Sequence, residues 1–125
     1  MSLGRVLVVD DEPQVVGVVR EMLEHFGYEA TVVSNADAAI VLMATFRPHV
    51  VLLDLQLGGM SGLEALRYLR QHHAVVPVIV ITGNIEYEMA RQARAVGAYD
   101  VIGKPFSLTA LRSLLTRAMK LAPSR

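Results

Sequence analysis

The sequence has 125 residues, enough for one domain around one core and too few for a second of ordinary size. Hydrophobic residues make up 53% of it, and twelve basic side chains balance twelve acidic ones, a neutrality that argues against a nucleic-acid-binding domain with its basic stripe. The absence of cysteine excludes disulfides, thiol catalysis and cysteine-based zinc sites.

In chain order, Val6-Leu7-Val8-Val9 is a short β-branched run of the kind buried on both faces of a sheet. Pro13 suits the first turn of a helix running to about Phe26, with Val15, Val16, Val19, Met22 and Leu23 at helical spacing and Gly27 as its stop. Tyr28 to Val33 reads as a second strand, and Ser34 or Asn35 caps a helix from Ala36 to about Phe46. Val50-Val51-Leu52-Leu53 is a third strand, followed after a glycine-bearing stretch by a helix from Leu63 to about Gln71. Val78-Ile79-Val80-Ile81 is the fourth strand, and a helix from Ile85 to Val96 is closed by Gly97. A short fifth strand, Asp100 to Ile102, precedes a helix capped by Ser107. Residues 1–4 read as a tail, 5–121 as the domain, and 122–125 as a tail or linker start.

Strand and helix alternate five times, which implies an α/β fold with a parallel sheet covered on both faces. No apolar run approaches the roughly 18 residues of a membrane span, and no signal-peptide pattern opens the sequence, so a soluble cytoplasmic protein is expected.

Ligands of such sheets bind outside the carboxyl ends of the strands. Asp10, Asp11 and Glu12 follow the first strand, Asp54 the third, Thr82 the fourth and Lys104 the fifth. Singly, each has a bland reading: Asp10 or Asp11 as a helix cap, Thr82 as a helix start, Lys104 as a solvated lysine. Asp54, directly after four buried aliphatics, has no such task, and the joint occurrence points to a site.

Val8-Val9-Asp10-Asp11-Glu12-Pro13, Leu52-Leu53-Asp54, Ile81-Thr82-Gly83 and Lys104-Pro105-Phe106 together resemble the motifs of response-regulator receiver domains, over roughly Arg5 to Met119. The resemblance implies a flavodoxin-like, doubly wound sheet of order 2-1-3-4-5 with five helices. It implies that Asp54 accepts a phosphoryl group from a histidine kinase or phosphotransfer domain, with Thr82 and Lys104 binding the phosphoryl oxygens. Asp10, Asp11, Asp54 and the backbone carbonyl of Gln56 would hold Mg²⁺, a cation satisfied by a few oxygens at about 2.0–2.1 Å plus water. Without the cation, such crowded carboxylates are expected to hold protons more tightly. The Lys104-Pro105 bond is expected to be cis. The partners implied are the phosphodonor, a downstream effector or fused output domain, and a second copy through the face where Arg91, Arg94 and Asp100 lie; neither nucleic acid nor membrane is expected to bind this domain directly.

Two positions depart from the family pattern. The aromatic switch residue three positions before the lysine is Val101 here, and period-two alternation puts Tyr99 on the same face as Val101. A proline common four residues after the acceptor is replaced by Gly58. The pocket-rim positions, Gln56 and Asn84, are neutral amides that place no carboxylate base beside an acyl phosphate.

Three other functions fit these residues less well. A haloacid-dehalogenase-type phosphatase wants its nucleophile after the first strand with an aspartate two residues on, where this chain has Glu12. A flavodoxin-like cofactor binder needs a phosphate-cradling loop where this chain has acids. A degenerate receiver would lack part of the acid, Thr and Lys set. His72-His73 read as helix C-terminal cations, His25 and His49 as structural or solvated, and Met22, Met43 and Met119 as core filler.

Overall fold

A computed structural model describes residues 2–57, 61–83 and 87–122. Gly58, Asn84 and the expected helix start at Ile85 lie outside the described residues. Five strands, β1 (Arg5–Val9), β2 (Glu29–Val33), β3 (Val50–Asp54), β4 (Val78–Thr82) and β5 (Asp100–Gly103), alternate with five helices, α1 (Pro13–His25), α2 (Ala36–Thr45), α3 (Gly62–His72), α4 (Tyr87–Val96) and α5 (Leu108–Leu121), among the described residues. All strand pairs are parallel, in the order β2-β1-β3-β4-β5. This is the doubly wound, flavodoxin-like order that the resemblance implies.

The continuous apolar runs form strands because both sides of the sheet are covered. Leu7, Val9, Val51, Leu53, Val78 and Val80 face the side packed by α2, α3 and α4, with Met43, Leu66 and Ala93 against them. The alternate residues Val6, Val8, Val50, Leu52, Ile79 and Ile81 face α1 and α5, meeting Leu23, Leu111 and Leu115. Every residue of β3 and β4 is buried. Burying a Val, Leu or Ile side chain contributes about 1.5–3 kcal/mol against leaving it in water, so these two central strands anchor the edge on which the polar residues stand.

The helix ends follow local chemistry. Asn35, Ser61 and Ser107 each accept a hydrogen bond from the backbone N–H three residues on, starting α2, α3 and α5. Of the two caps expected for α2, Asn35 is the one used. Gly97 closes α4 at φ +120°, a conformation that other residues adopt only with strain. At α1 the position before Pro13 is Glu12, whose side chain makes no cap. Tyr99 departs from the expected alternation. Val101 packs with the α2–α4 side, whereas Tyr99 packs with the α1–α5 side together with Ile102. Tyr99 precedes β5, whose pleat begins at Asp100, so strand periodicity does not extend to it.

Candidate functional site

The order of the sheet reverses direction between β1 and β3, and such a switch point opens a crevice at the carboxyl ends of those strands. Asp10 and Asp54 stand there, both fully buried, with Thr82 at the end of neighbouring β4 only 1% exposed. Lys104 reaches the same edge from the turn after β5. Its backbone N–H donates to the Thr82 carbonyl at 2.8 Å, and its bond to Pro105 is cis.

Backbone turns orient the two buried carboxylates. Asp10 Oδ1 accepts the Glu12 N–H at 2.9 Å, and Asp54 Oδ1 accepts the Gln56 N–H at 2.9 Å. In each case Oδ1 is satisfied by the chain two residues on, leaving Oδ2 for the crevice. Asp10 therefore ties down the loop ahead of α1 instead of capping the helix. Lys104 Nζ donates hydrogen bonds at 2.9 Å to both Asp54 Oδ2 and Glu12 Oε1. It also lies 2.9 Å from Asp10 Oδ2, forming an ion pair with it. Asp10 Oδ2 has no partner beyond that ammonium among the described residues. The lysine side chain is only 11% exposed, so the reading of a solvated loop lysine does not hold.

The loop after β3 is set by a close approach. Gly62 donates its N–H to the Leu55 carbonyl at 3.1 Å, and a Cβ at Gly62 would lie 2.5 Å from that oxygen. Only glycine lets α3 begin this close to β3.

Charge dominates the site. Removal from water pushes the Asp54 carboxyl above its ordinary range, and the charge of Asp10 adds to this against the Gln56 N–H and Lys104. Burial alone would lower Lys104, but Glu12, Asp10 and Asp54 outweigh it and hold the ammonium protonated above the ordinary lysine range. Asp10, Glu12 and Asp54 bring ligand oxygens within 4.8 Å of one another. Three carboxylates against one ammonium leave an excess of two negative charges, the complement of a divalent cation. Hard carboxylate oxygens, with Asp10 Oδ2 held by the Lys104 ammonium and by no backbone N–H, fit such an ion. Asp11 is exposed beside Asp10, and Gln56 is exposed at the rim.

A model of the response regulator receiver domain family matches residues 6–116. The chain belongs to that family. It is 40% identical over 117 residues to the nitrogen assimilation regulatory protein NtrX of Azorhizobium caulinodans, covering 92% of this chain and 26% of that protein. Over 120 residues it is 36% identical to the regulatory protein AtoC of Escherichia coli, covering 96% of this chain and 26% of the relative. The receiver therefore spans about a quarter of the length of these curated relatives. The crystal structure of the receiver domain of NtrX from Brucella abortus superposes with a TM-score of 0.87 at 35% identity, covering 92% of this chain and 98% of that one.

Of the residues singled out by sequence, the receiver fold gathers Asp10, Asp54, Thr82 and Lys104 on one edge, with Asp11 and Gln56 at its margin. Val101 is buried beside Val80 of β4. The charges on the α4–β5 face pair within the chain, Arg94 with Asp100 at 3.3 Å and Arg91 with Glu88 at 2.6 Å. Sequence reasoning gave Glu12 no task, yet Glu12 is the exposed partner of Lys104 from 92 residues away. Its signal was its place in the acidic run, without any indication of which cation it meets. His72 stacks on Tyr68 at 4.2 Å, and His49 Nδ1 accepts the Arg5 N–H at 2.9 Å, both in structural roles. Among the described residues no helix is long and apolar enough to cross a membrane.

Proposed function

We propose that this receiver accepts a phosphoryl group on Asp54 from the phosphohistidine of a histidine kinase or phosphotransfer domain. Asp54 Oδ2 attacks phosphorus, the P–N bond breaks with its electrons returning to the imidazole, and an acyl phosphate remains on Asp54. The observation that carries this reading is the pairing of buried Asp54 Oδ2 with the Lys104 ammonium at 2.9 Å, next to a second buried carboxylate. A carboxylate oxygen free of backbone bonds, desolvated and beside a fixed positive charge, suits attack on an anionic phosphoryl group.

Asp10, Asp11, Asp54 and the Gln56 carbonyl would hold Mg²⁺, which supplies neutralisation of phosphoryl charge. Lys104 then binds the phosphoryl oxygens, and the Thr82 hydroxyl donates to one of them. The acyl phosphate adds about −1.5 to −2 charges at the sheet edge, and loop movement there alters a face that an effector or fused output domain reads. With Val101 in place of an aromatic, that readout proceeds without a swinging ring. The relatives, named as regulators about four times as long, support an attached or separate output. On this reading the domain works in the cytoplasm.

Incubation with Mg²⁺ and a small phosphodonor, followed by intact-mass measurement, tests the proposal. One added phosphate on the wild type and none on Asp54→Asn is the expected result; an undiminished adduct on the variant overturns it.

A further inference from the structure

Lys104 occupies the locus on which a divalent cation would also draw. The three carboxylates that meet its ammonium, Asp10, Glu12 and Asp54, are the same three whose oxygens lie within 4.8 Å of one another. A cation held by Asp10 and Asp54 takes two of the lysine's three partners and repels the ammonium besides. The backbone of Lys104 is fixed to Thr82, so only its flexible side chain can give way. Glu12 differs from the other two acids. It is half exposed, stands at the mouth of the crevice, and holds Lys104 through a well-formed hydrogen bond at 2.9 Å.

We propose that Glu12 is a positioning residue that retains the Lys104 ammonium at the mouth of the site when a divalent cation occupies Asp10 and Asp54, keeping it within reach of the incoming phosphoryl group. This rests on the phospho-acceptor reading above and adds to it the residue that stops cation and lysine from excluding each other. Without Glu12, the displaced ammonium would swing into water, and each phosphoryl transfer would wait for its return.

Proton–nitrogen correlation spectra of the lysine ammonium groups test this with Mg²⁺ alone, Lys104 being assigned by the loss of its signal in Lys104→Met. The Mg²⁺-saturated wild type should keep a protected Lys104 signal, Glu12→Gln should lose it, and Glu12→Asp should recover it in part. Loss in the Mg²⁺-saturated wild type, or persistence in Glu12→Gln, overturns the proposal.

Adduct formation from a small phosphodonor gives a second readout. At saturating Mg²⁺, Glu12→Gln should slow it about five- to tenfold, with no further slowing when added to Lys104→Met. An equal slowing on both backgrounds, or a tenfold loss of Mg²⁺ affinity in Glu12→Gln, would show Glu12 acting as a metal ligand or a general acid charge instead. Failure of the wild type to form any adduct counts against the phospho-acceptor reading, while the ammonium spectra still decide the role of Glu12.

Discussion

Lys104 Nζ donates to Asp54 Oδ2 at 2.9 Å across 50 residues of sequence, joining the end of β3 to the turn after β5. The contact does not neutralise the site, because Asp10 and Glu12 share the same ammonium. Buried excess negative charge is a cost to the stability of the fold.

Asp54→Asn should stabilise the cation-free fold at neutral pH by about 1 kcal/mol, roughly 4 °C in Tm. Lys104 keeps Asp10 and Glu12 as partners, so the loss of one charge improves the balance. The sign with pH follows from burial raising the Asp54 carboxyl above its ordinary value of 3.8. The folded state then holds the proton more tightly than the unfolded state, and ionisation weakens the fold as pH rises through the raised value. The advantage of the variant should shrink as pH falls through that window toward 3.8, as thermal melts in a chelating buffer would record.

Mg²⁺ should raise the Tm of the wild type, since on the proposed reading it would bind the folded charge cluster and not the dispersed acids of the unfolded chain. At ten times its dissociation constant the gain is about 1.4 kcal/mol. Asp10→Asn, which removes one of the buried negative charges that share Lys104, should abolish that gain while raising the Tm measured without the ion.

Thr82→Val keeps the volume of a fully packed strand end and removes only the hydroxyl. The fold should survive, and phosphoryl uptake by Asp54 should slow about tenfold for want of one donor to the phosphoryl oxygens. Rate measurements by intact mass, with circular dichroism as the control for folding, would show it.

Gly62→Ala should lower stability by about 2–3 kcal/mol, because its Cβ would press on the backbone of Leu55 and not on a side chain that can turn aside. Denaturant titration measures the loss. Displacement of α3 would also shift the loop carrying Gln56.

Much of this is legible in the sequence alone. Val50-Val51-Leu52-Leu53 and Val78-Ile79-Val80-Ile81 are apolar throughout because two helical layers cover them, and parallel strands bring their carboxyl ends to one edge whatever their separation in sequence. Asp10, Asp54 and Thr82 therefore followed from strand ends alone. What did not follow depended on turns. The partnership of Glu12 with Lys104 needs the turn after β5 to send the lysine back across β3 toward β1. Tyr99 changes face because it lies one residue ahead of the pleat. The requirement for glycine at position 62 arises from contact with the chain seven residues earlier, which helical periodicity does not encode.

The central claim is that the phosphoryl group is carried by Asp54 and not by its acidic neighbours. The most direct measurement is to treat the Mg²⁺-loaded protein with a small phosphodonor, reduce the acyl phosphate with borohydride, and locate the resulting homoserine by peptide mass spectrometry. Homoserine at position 54 alone is the predicted result; homoserine at Asp10 or Asp11, or none at position 54, would contradict the account.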